Sequence, residues 1–277
     1  MNDIRMIALD LDGTLLDDGG TIARENSRVL REYAGRGVVI VLASGRMTDC
    51  VSPFADMLGI DCPLLVYNGA MVRDTKEKNR DIVFHCPLES VHGDLLIEYC
   101  GRNGFHLNYY LDDVLYAQDV PSLRGYAEIY SRQTGAVFHF VRDLRRFRGR
   151  SPTKCILITD PYNEEDPTRA RDYQFEHFSS LLGGEVNVVK TNPEYLEFLN
   201  GRVDKAVGLS KLAQEYGIDR ESIVAFGDGE NDREMLAFAG TGVAPANAKD
   251  SVKKTADIVL EETNNEAVVA RYLSRFL

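Results

Sequence analysis

Long apolar runs, paired cysteines and clustered histidines are all missing from this sequence. No apolar run approaches the roughly 20 residues of a transmembrane helix, and the chain does not start with a basic region followed by an apolar one, so we expect neither a membrane span nor a signal peptide. The five cysteines are odd in number, and none has C-x-x-C spacing. This pattern disfavours a disulfide framework or a structural zinc site and favours a reduced protein of the cytoplasm. The five histidines are scattered and belong to none of the motifs below.

An excess of positive charge is also missing. The 277 residues carry a net charge of −11, which disfavours nucleic acid or an anionic membrane as a partner. Residues 142–150 are a local exception with five arginines. We interpret this stretch as a solvated loop or helix end; the alternative is a patch that binds a phosphorylated ligand or an acidic partner. The length suffices for one large domain or two modest ones.

Short apolar runs alternate with amphipathic helical patterns in both terminal parts of the chain. The predicted strands there cover residues 6–11, 38–43, 64–67, 223–226, 242–244 and 258–260. The predicted helices cover residues 24–33, 47–58, 204–216, 231–238 and 266–276. This order of strands and helices predicts a parallel sheet that is covered on both faces.

The middle of the chain has a different pattern. An aromatic-rich hairpin is predicted over residues 105–117, with strands at 136–141 and 154–159 and helices at 88–100, 123–133 and 166–182. We therefore predict an α/β fold with a doubly wound, Rossmann-like parallel-sheet core, formed by residues 1–82 and 190–277. Residues 83–189 would form an inserted α+β domain.

Two aspartates end the first predicted strand. Asp10 and Asp12 follow an apolar run, and Gly13 and Thr14 come directly after them. A carboxylate is costly to desolvate without compensation, so two together require a cation, a shared proton or both. These residues are therefore the strongest candidates for a functional site.

Three further motifs lie where a core strand ends or a core helix begins, the edge at which open α/β sheets place their sites. They are Ser44-Gly45-Arg46, Lys205, and the acidic loop that contains Asp228, Asn231 and Asp232. Carboxylate oxygens favour Mg²⁺ over soft metals. A calcium EF-hand is excluded, because neither acidic loop has glycine at its sixth position.

These residue types are the ones that phosphoryl transfer needs: a nucleophile, neutralising charges and an acid for the leaving oxygen. Asp10, at the strand end, is the candidate nucleophile. Asp12 is the candidate acid, and then the base that activates water. A hydroxyl and free backbone N–H groups at the Ser44 turn suit a phosphate.

The four motifs, in this order and spacing, resemble the haloacid dehalogenase (HAD) superfamily. The insert before Lys205 resembles the large C2-type cap of the Cof-like phosphatases, and Asn68-Gly69-Ala70 after the third strand fits the same group. The resemblance covers the whole chain. It implies an enzyme that hydrolyses a small phosphorylated metabolite through an aspartyl-phosphate, with residues 83–189 as the substrate-specificity cap.

The resemblance also implies a role for each residue of the site. Asp10 would form the aspartyl-phosphate, and Asp12 would protonate the leaving group. Mg²⁺ would be held by the Asp10 carboxylate, the backbone carbonyl of Asp12 and Asp228, while Asp232 would orient Lys205 or water at the metal. The remaining roles would be phosphate binding by Ser44, Gly45, Lys205 and Asn231, support by Thr14, and substrate contact by Arg46 and Asn68.

Some choices stay open at this point. Sugar phosphates are the first candidate substrates, with pyridoxal phosphate, flavin mononucleotide and nucleotides as others. A phosphomutase of the phosphomannomutase type, or a non-catalytic phospho-ligand-binding protein, are the alternative functions. Pro245-Ala246-Asn247-Ala248 stands where similar proteins often carry Met-Gly-Asn-Ala. The Asn-Ala pair is kept but the flexible Gly is lost, so the shape of that loop is in question. Glu197 is interpreted as a structural partner near the hinge of the insert.

Overall fold

The computed structural model of the chain describes residues 3–74, 81–160 and 166–277. Over these residues the strands are β1 (Met6–Asp10), β2 (Val39–Ala43), β3 (Leu64–Val66), β4 (Met71–Arg73), β5 (Ile82–His85), β6 (His106–Leu111), β7 (Val114–Gln118), β8 (Phe138–Val141), β9 (Lys154–Ile158), β10 (Val186–Lys190), β11 (Tyr195–Asn200), β12 (Ile223–Phe226), β13 (Thr241–Ala244) and β14 (Ile258–Val259). The α-helices are α1 (Arg24–Gly35), α2 (Thr48–Leu58), α3 (Ser90–Asn103), α4 (Arg124–Thr134), α5 (Arg171–Leu182), α6 (Lys205–Glu215), α7 (Arg233–Phe238), α8 (Asp250–Thr255) and α9 (Val268–Leu273).

The chain divides into two compact units, and the first contains Met1–His85 together with Asp204–Leu277. Its sheet has the strand order β14-β13-β12-β1-β2-β3-β4-β5. The strands from β14 to β3 are parallel, while β4 and β5 pair antiparallel at one edge. The carboxyl ends of β1, β2 and β12 are therefore neighbours at one edge of the sheet.

Both faces of this sheet are covered, which explains its continuous apolar strands. Met6 and Ala8 of β1 pack in one cluster with Leu212 of α6 and Leu236 of α7. Ile7 points to the opposite face because side chains alternate along a strand, and it also has no exposed surface. The doubly wound α/β core expected from the sequence is thus confirmed.

The second unit contains Cys86–Val203. Its six strands have the order β10-β11-β9-β6-β7-β8, and all neighbours are antiparallel except β7 and β8. Leu96 of α3 and Phe178 of α5 pack with Tyr109 of β6 in one core. The adjacent Tyr110 points to the other face, where its hydroxyl lies 2.7 Å from that of Tyr130 in α4. The unit is an α+β domain with helices on both faces of its sheet.

The second boundary of this unit differs from the expected one. The sequence predicted a return to the core at residue 190, whereas the unit extends to Val203. The reason is that β10 and β11 pair with each other and β11 pairs with β9, so the chain remains in the second sheet through Asn200. The sequence analysis placed no strand in either segment.

The five cysteines are free, four of them buried and Cys86 partly exposed. Among the described residues, we find no helix with the length and apolarity needed to cross a bilayer.

Candidate active site

A buried lysine joins two aspartates at the carboxyl edge of the first unit's sheet. The ammonium Nζ of Lys205 donates to Asp10 Oδ1 at 2.6 Å and to Asp232 Oδ1 at 2.6 Å. It also donates to the carbonyl oxygen of Ala43 at 3.3 Å, at the end of β2. Lys205 is completely buried, and Asp10 and Asp232 are nearly so. The lysine therefore serves as the counterion inside the site rather than as a surface helix residue.

The start of α6 places this lysine. Asp204 caps the helix, because its carboxylate accepts a hydrogen bond from the backbone N–H of Val207 at 2.8 Å. The turn after β3 comes very close to this point. Gly69 has a φ of +92°, and a Cβ there would lie 2.0 Å from the carbonyl oxygen of Asp204. A glycine is needed here for α6 to begin beside the sheet.

Asp228 follows β12 and faces the turn after β1. Its Oδ1 accepts a hydrogen bond from the Thr14 hydroxyl at 2.9 Å. A Cβ on Gly13, whose φ is +82°, would lie 2.5 Å from Asp228 Oδ2. The glycine of the first motif thus lets the two acidic segments approach each other, and Thr14 holds the second carboxylate.

Asp232 organises the acidic loop. Its Oδ2 accepts hydrogen bonds from the backbone N–H groups of Asp228 at 3.1 Å and Gly229 at 2.9 Å, while Oδ1 receives Lys205. Both oxygens of Asp232 therefore have partners of this chain. This arrangement matches the supporting role expected for it, which stays a prediction.

The shared lysine does not neutralise the whole cluster. Burial raises the pKa of the Asp10 carboxyl well above its ordinary value, and the charges of Asp232 and Asp228 add to this effect against that of Lys205. Burial, with the charge of Asp232, raises the pKa of Asp228 to about 6, although the bond from Thr14 acts in the opposite direction. Burial alone disfavours the charged lysine, but the carboxylates of Asp10 and Asp232 outweigh it and raise the pKa of Lys205.

These residues fit a divalent cation. One carboxylate oxygen each of Asp10, Asp228 and Asp232 lie within 4.8 Å of one another. Three carboxylates share a single ammonium, and burial together with the neighbouring carboxylates raises the pKa of Asp10 and of Asp228 in spite of Lys205. Hard oxygen donors with excess negative charge suit Mg²⁺ or a similar ion.

The carboxylate of Asp12 lies apart from this cluster. Arg46 donates to it twice, from Nε to Oδ2 at 2.9 Å and from Nη2 to Oδ1 at 2.5 Å. The side chain of Asp12 is 57% exposed, in contrast with Asp10. The two aspartates of the first motif thus occupy different environments, which is compatible with the two different roles predicted for them.

The candidate phosphate-binding residues are connected by Asn68. The Asn68 amide oxygen accepts from Asn231 Nδ2 at 2.9 Å, and its backbone N–H donates to the carbonyl of Ser44 at 3.0 Å. A Cβ on Gly45 would lie 2.9 Å from the same amide oxygen. Asn68 therefore holds the Ser44 turn and the Asn231 loop together. Its candidate contact with substrate stays a prediction.

Asn247 is a further supporting residue, to which the sequence motifs assigned no role. Its Nδ2 donates to the carbonyl of Gly13 at 2.8 Å, and its Oδ1 accepts from the backbone N–H of Asn264 at 2.9 Å. Through Asn247, the loop that begins at Pro245 thus supports the turn that follows Asp10 and Asp12. The signal for it was the Asn-Ala pair that the loop retains.

The basic stretch of the second unit is largely neutralised by acidic neighbours. Arg145 and Arg148 both contact Glu98, and Arg150 contacts Asp112 at 2.8 Å. These pairs favour the interpretation as a solvated surface.

Glu197 is a structural partner within the second unit. Its Oε2 accepts from Lys154 Nζ at 3.2 Å, and its Oε1 accepts from the Thr191 hydroxyl at 3.3 Å.

Comparison with known proteins identifies the family. The family model described as haloacid dehalogenase-like hydrolase matches residues 7–273. The chain is a haloacid dehalogenase-like hydrolase. The resemblance inferred from the motifs is thereby confirmed, and the protein is an enzyme, a phosphoric monoester hydrolase.

Its relatives match over almost their whole length. The chain is 30% identical over 273 residues to 5-amino-6-(5-phospho-D-ribitylamino)uracil phosphatase YitU of Bacillus subtilis, covering 98% of this hydrolase and 97% of the relative. It is 29% identical over 279 residues to a phosphoglycolate phosphatase of Methanopyrus kandleri, covering 98% of this hydrolase and 97% of that relative. The crystal structure of TM0651 from Thermotoga maritima has a TM-score of 0.86 and 31% identity, covering 99% and 98%.

Proposed function

We propose that this hydrolase removes phosphate from a small phosphorylated metabolite, with Mg²⁺ and through an aspartyl-phosphate on Asp10. The observation that carries the proposal is the cluster of Asp10, Asp228 and Asp232, in which the buried Lys205 donates to Asp10 and Asp232. A site with three carboxylates and one ammonium has too much negative charge to receive a phosphate dianion without a cation.

The metal would be held by Asp10 and Asp228, with the backbone carbonyl of Asp12 as a third ligand. When bound, it would neutralise charge that develops on the transferring phosphoryl oxygens. Asp228 is already fixed by the Thr14 hydroxyl. Asp232 is excluded from our ligand set, because its two oxygens accept from Lys205 and from backbone N–H groups.

In the first step a carboxylate oxygen of Asp10 attacks phosphorus, and the bond from phosphorus to the ester oxygen breaks. Asp12 gives its proton to that oxygen, so the product leaves as an alcohol. Ser44 and Asn231 would hold the phosphoryl oxygens, with Lys205 and the backbone N–H of Gly45. Asn68 keeps Ser44 and Asn231 in register for this task.

In the second step a water molecule attacks the phosphorus of the aspartyl-phosphate. Asp12, now ionised, takes the proton of the water, and the bond from phosphorus to Asp10 breaks. Phosphate leaves and both aspartates return to their starting states. The exposure of Asp12 supports this role, because its carboxylate can meet both the departing alcohol and the incoming water.

The substrate class proposed is a phosphomonoester of a small metabolite, with sugar phosphates first. YitU is named for an aminopyrimidine ribityl phosphate and the Methanopyrus protein for phosphoglycolate, which are chemically different esters. We therefore attribute the choice of substrate to the second unit rather than to the motifs. The net charge of −11 and the five free cysteines support a cytoplasmic enzyme without nucleic acid or membrane partners.

A phosphatase panel tests the proposal. The purified chain with Mg²⁺ is expected to release inorganic phosphate from one or more of a panel of small phosphomonoesters. Asp10→Asn should lower this rate at least about 10³-fold, because the amide is a poor nucleophile. Asp172→Asn, which changes an exposed aspartate of the second unit, is the matched control and should leave the rate unchanged.

Three outcomes would overturn it. The first is that the unchanged enzyme releases no phosphate from any ester of the panel. Phosphate release that persists in Asp10→Asn would remove the assigned nucleophile. Transfer to a second hydroxyl that depends on a bisphosphate activator, without free phosphate, would instead indicate a phosphomutase.

A further inference from the structure

Arg46 is an anchored residue whose guanidinium contacts the carboxylate of Asp12. Arg46 follows Ser44 and Gly45, and its backbone is fixed on both sides. Its N–H donates to Ser44 Oγ at 3.2 Å, and its carbonyl accepts from the N–H of Tyr67 at 3.0 Å. Its guanidinium lies 5.8 Å from the ring centre of Phe54. The arginine therefore leaves a well-anchored turn with its charged group directed at Asp12.

Asp12 is less constrained by its own surroundings. Its side chain is 57% exposed, whereas that of Arg46 is 24% exposed. A carboxylate with this much exposed surface can rotate about the bonds of its side chain. The two parallel N–H contacts from Arg46 do fix that plane, because a guanidinium fork matches the geometry of a carboxylate.

We propose that Arg46 is a positioning residue, which orients the Asp12 carboxylate for proton transfer and does not itself bind the substrate. This inference rests on the proposed function, in which Asp12 is the acid and then the base. Proton transfer requires the acid or base within hydrogen-bond reach of the reacting oxygen, so a fixed orientation of Asp12 raises the rate of both steps.

The fork also allows the two protonation states that Asp12 needs. With both contacts made, the two oxygens accept hydrogen bonds and the carboxylate is ready to take a proton from water. To carry a proton, Asp12 has to release only one contact, either Nε to Oδ2 or Nη2 to Oδ1. The other contact keeps the group oriented while its proton passes to the ester oxygen.

The competing role is a direct contact of Arg46 with the phosphoryl group or the leaving group. That role predicts weaker binding of inorganic phosphate and a higher KM when the guanidinium is removed. A positioning role predicts a lower kcat with little change in phosphate binding or in KM, since Ser44, Asn231 and Lys205 would still hold the phosphate.

The first test compares Arg46→Gln and Arg46→Lys with the unchanged enzyme. We expect Arg46→Gln to lower kcat about 10- to 100-fold, with the inhibition constant of inorganic phosphate changed less than twofold. Arg46→Lys should recover only part of kcat, because an ammonium makes a point contact instead of a fork. Arg36→Gln, which removes a surface arginine paired with Glu32, is the control and should leave kcat unchanged.

The second test places Arg46→Gln in an Asp12→Ala background. The readout is the single-turnover release of p-nitrophenolate from p-nitrophenyl phosphate, with enzyme in excess. p-Nitrophenolate is a leaving group that needs no proton. If Arg46 acts through Asp12, adding Arg46→Gln should change this rate less than about twofold. A further drop of tenfold or more, or a phosphate inhibition constant raised by tenfold in Arg46→Gln, would overturn the proposal and assign Arg46 to the substrate. Failure of the proposed function would look different, because the unchanged enzyme would then release no phosphate from any ester.

Discussion

Asn68 has a backbone conformation that its role in the site explains. Its φ and ψ are +54° and +36°, and the preceding Tyr67 is also left-handed with a φ of +53°. Such conformations are uncommon outside glycine and cost about 1–2 kcal/mol. Here they turn the chain after β3 so that one asparagine reaches both the Ser44 turn and Asn231. The strain is thus located at residues that align the candidate phosphate-binding groups.

Substitutions of Asn68 should separate stability from binding. Asn68→Gly relieves the strain, so we expect its free energy of unfolding to stay within about 1 kcal/mol of the unchanged protein. Asn68→Ala keeps the strain and loses the amide, so it should be about 1–2 kcal/mol less stable. Both variants lose the contact to Asn231 and should bind inorganic phosphate equally weakly. Urea unfolding and phosphate inhibition measure the two effects, and unequal phosphate binding would contradict this assignment.

The sequence predicted the residues of the site better than their contacts. Asp10 and Asp228 could be predicted together because parallel strands bring their carboxyl ends to one edge, whereas Lys205 was predicted from its position at the start of a core helix. The pairing of Asp12 with Arg46 could not, since it depends on the side-chain conformations of two partly exposed residues. Local motif spacing carries no information on such conformations.

At the scale of elements, the close approach of the β3 turn to the start of α6 is the most demanding contact. Gly69 leaves no room for a side chain, because a Cβ would lie 2.0 Å from the Asp204 carbonyl oxygen. Gly208 of α6 also approaches Gly69, because a Cβ on Gly208 would lie 3.0 Å from the Cα of Gly69. Two glycines thus allow the helix that carries Lys205 to lie against the turn.

Gly69→Ala should therefore displace the helix as well as strain the turn. We expect a loss of at least about 3 kcal/mol in unfolding free energy, beyond the usual cost of a left-handed alanine. Gly217→Ala is the matched control, because Gly217 has a φ of +60° with no atom near its Cβ position. That variant should lose only about 1–2 kcal/mol. Equal losses in urea unfolding would show that backbone strain, rather than the contact with Asp204, decides the cost.

The six parallel strands of the core were predictable, but β4, β5, β10 and β11 were not. The core strands have continuous apolar sequences because both sheet faces are covered. By contrast, β10 is half-exposed, and β11 carries Glu197 into a buried position. That glutamate is compensated by Lys154, which lies on another strand. A buried charge with a distant partner cannot be recognised in a single strand's sequence, and the boundary of the second unit was misplaced for this reason.

For the whole molecule, the buried His106 and the half-buried Asp228 give opposite dependences of stability on pH. Burial lowers the pKa of His106 in the second unit to about 4, although the hydrogen bond to Asn108 acts in the opposite direction. The contribution of neutral His106 to the free energy of unfolding is therefore complete above about pH 6.5 and is lost as the pH falls toward 4. Burial raises the pKa of Asp228 in the first unit to about 6. In the metal-free protein, the contribution of Asp228 to the free energy of unfolding is therefore complete below about pH 4 and is lost as the pH rises through 6.

A bound cation should reverse the pH dependence of stability that comes from Asp228 and leave the one that comes from His106 unchanged. Mg²⁺ requires an ionised Asp228, so below pH 6 it has to displace a proton from this carboxyl and binds more weakly. We expect the stabilisation by a fixed Mg²⁺ concentration to be at least about 1.4 kcal/mol smaller at pH 5 than at pH 7, which corresponds to one tenfold change in apparent affinity. Thermal unfolding with Mg²⁺ or EDTA at constant ionic strength measures this difference.

Asp228→Asn is the control, because it removes both the ligand and the titrating group, and it should show little stabilisation by Mg²⁺ at either pH. A stabilisation that is equal at both pH values in the unchanged protein would contradict the assignment of Asp228 as a metal ligand.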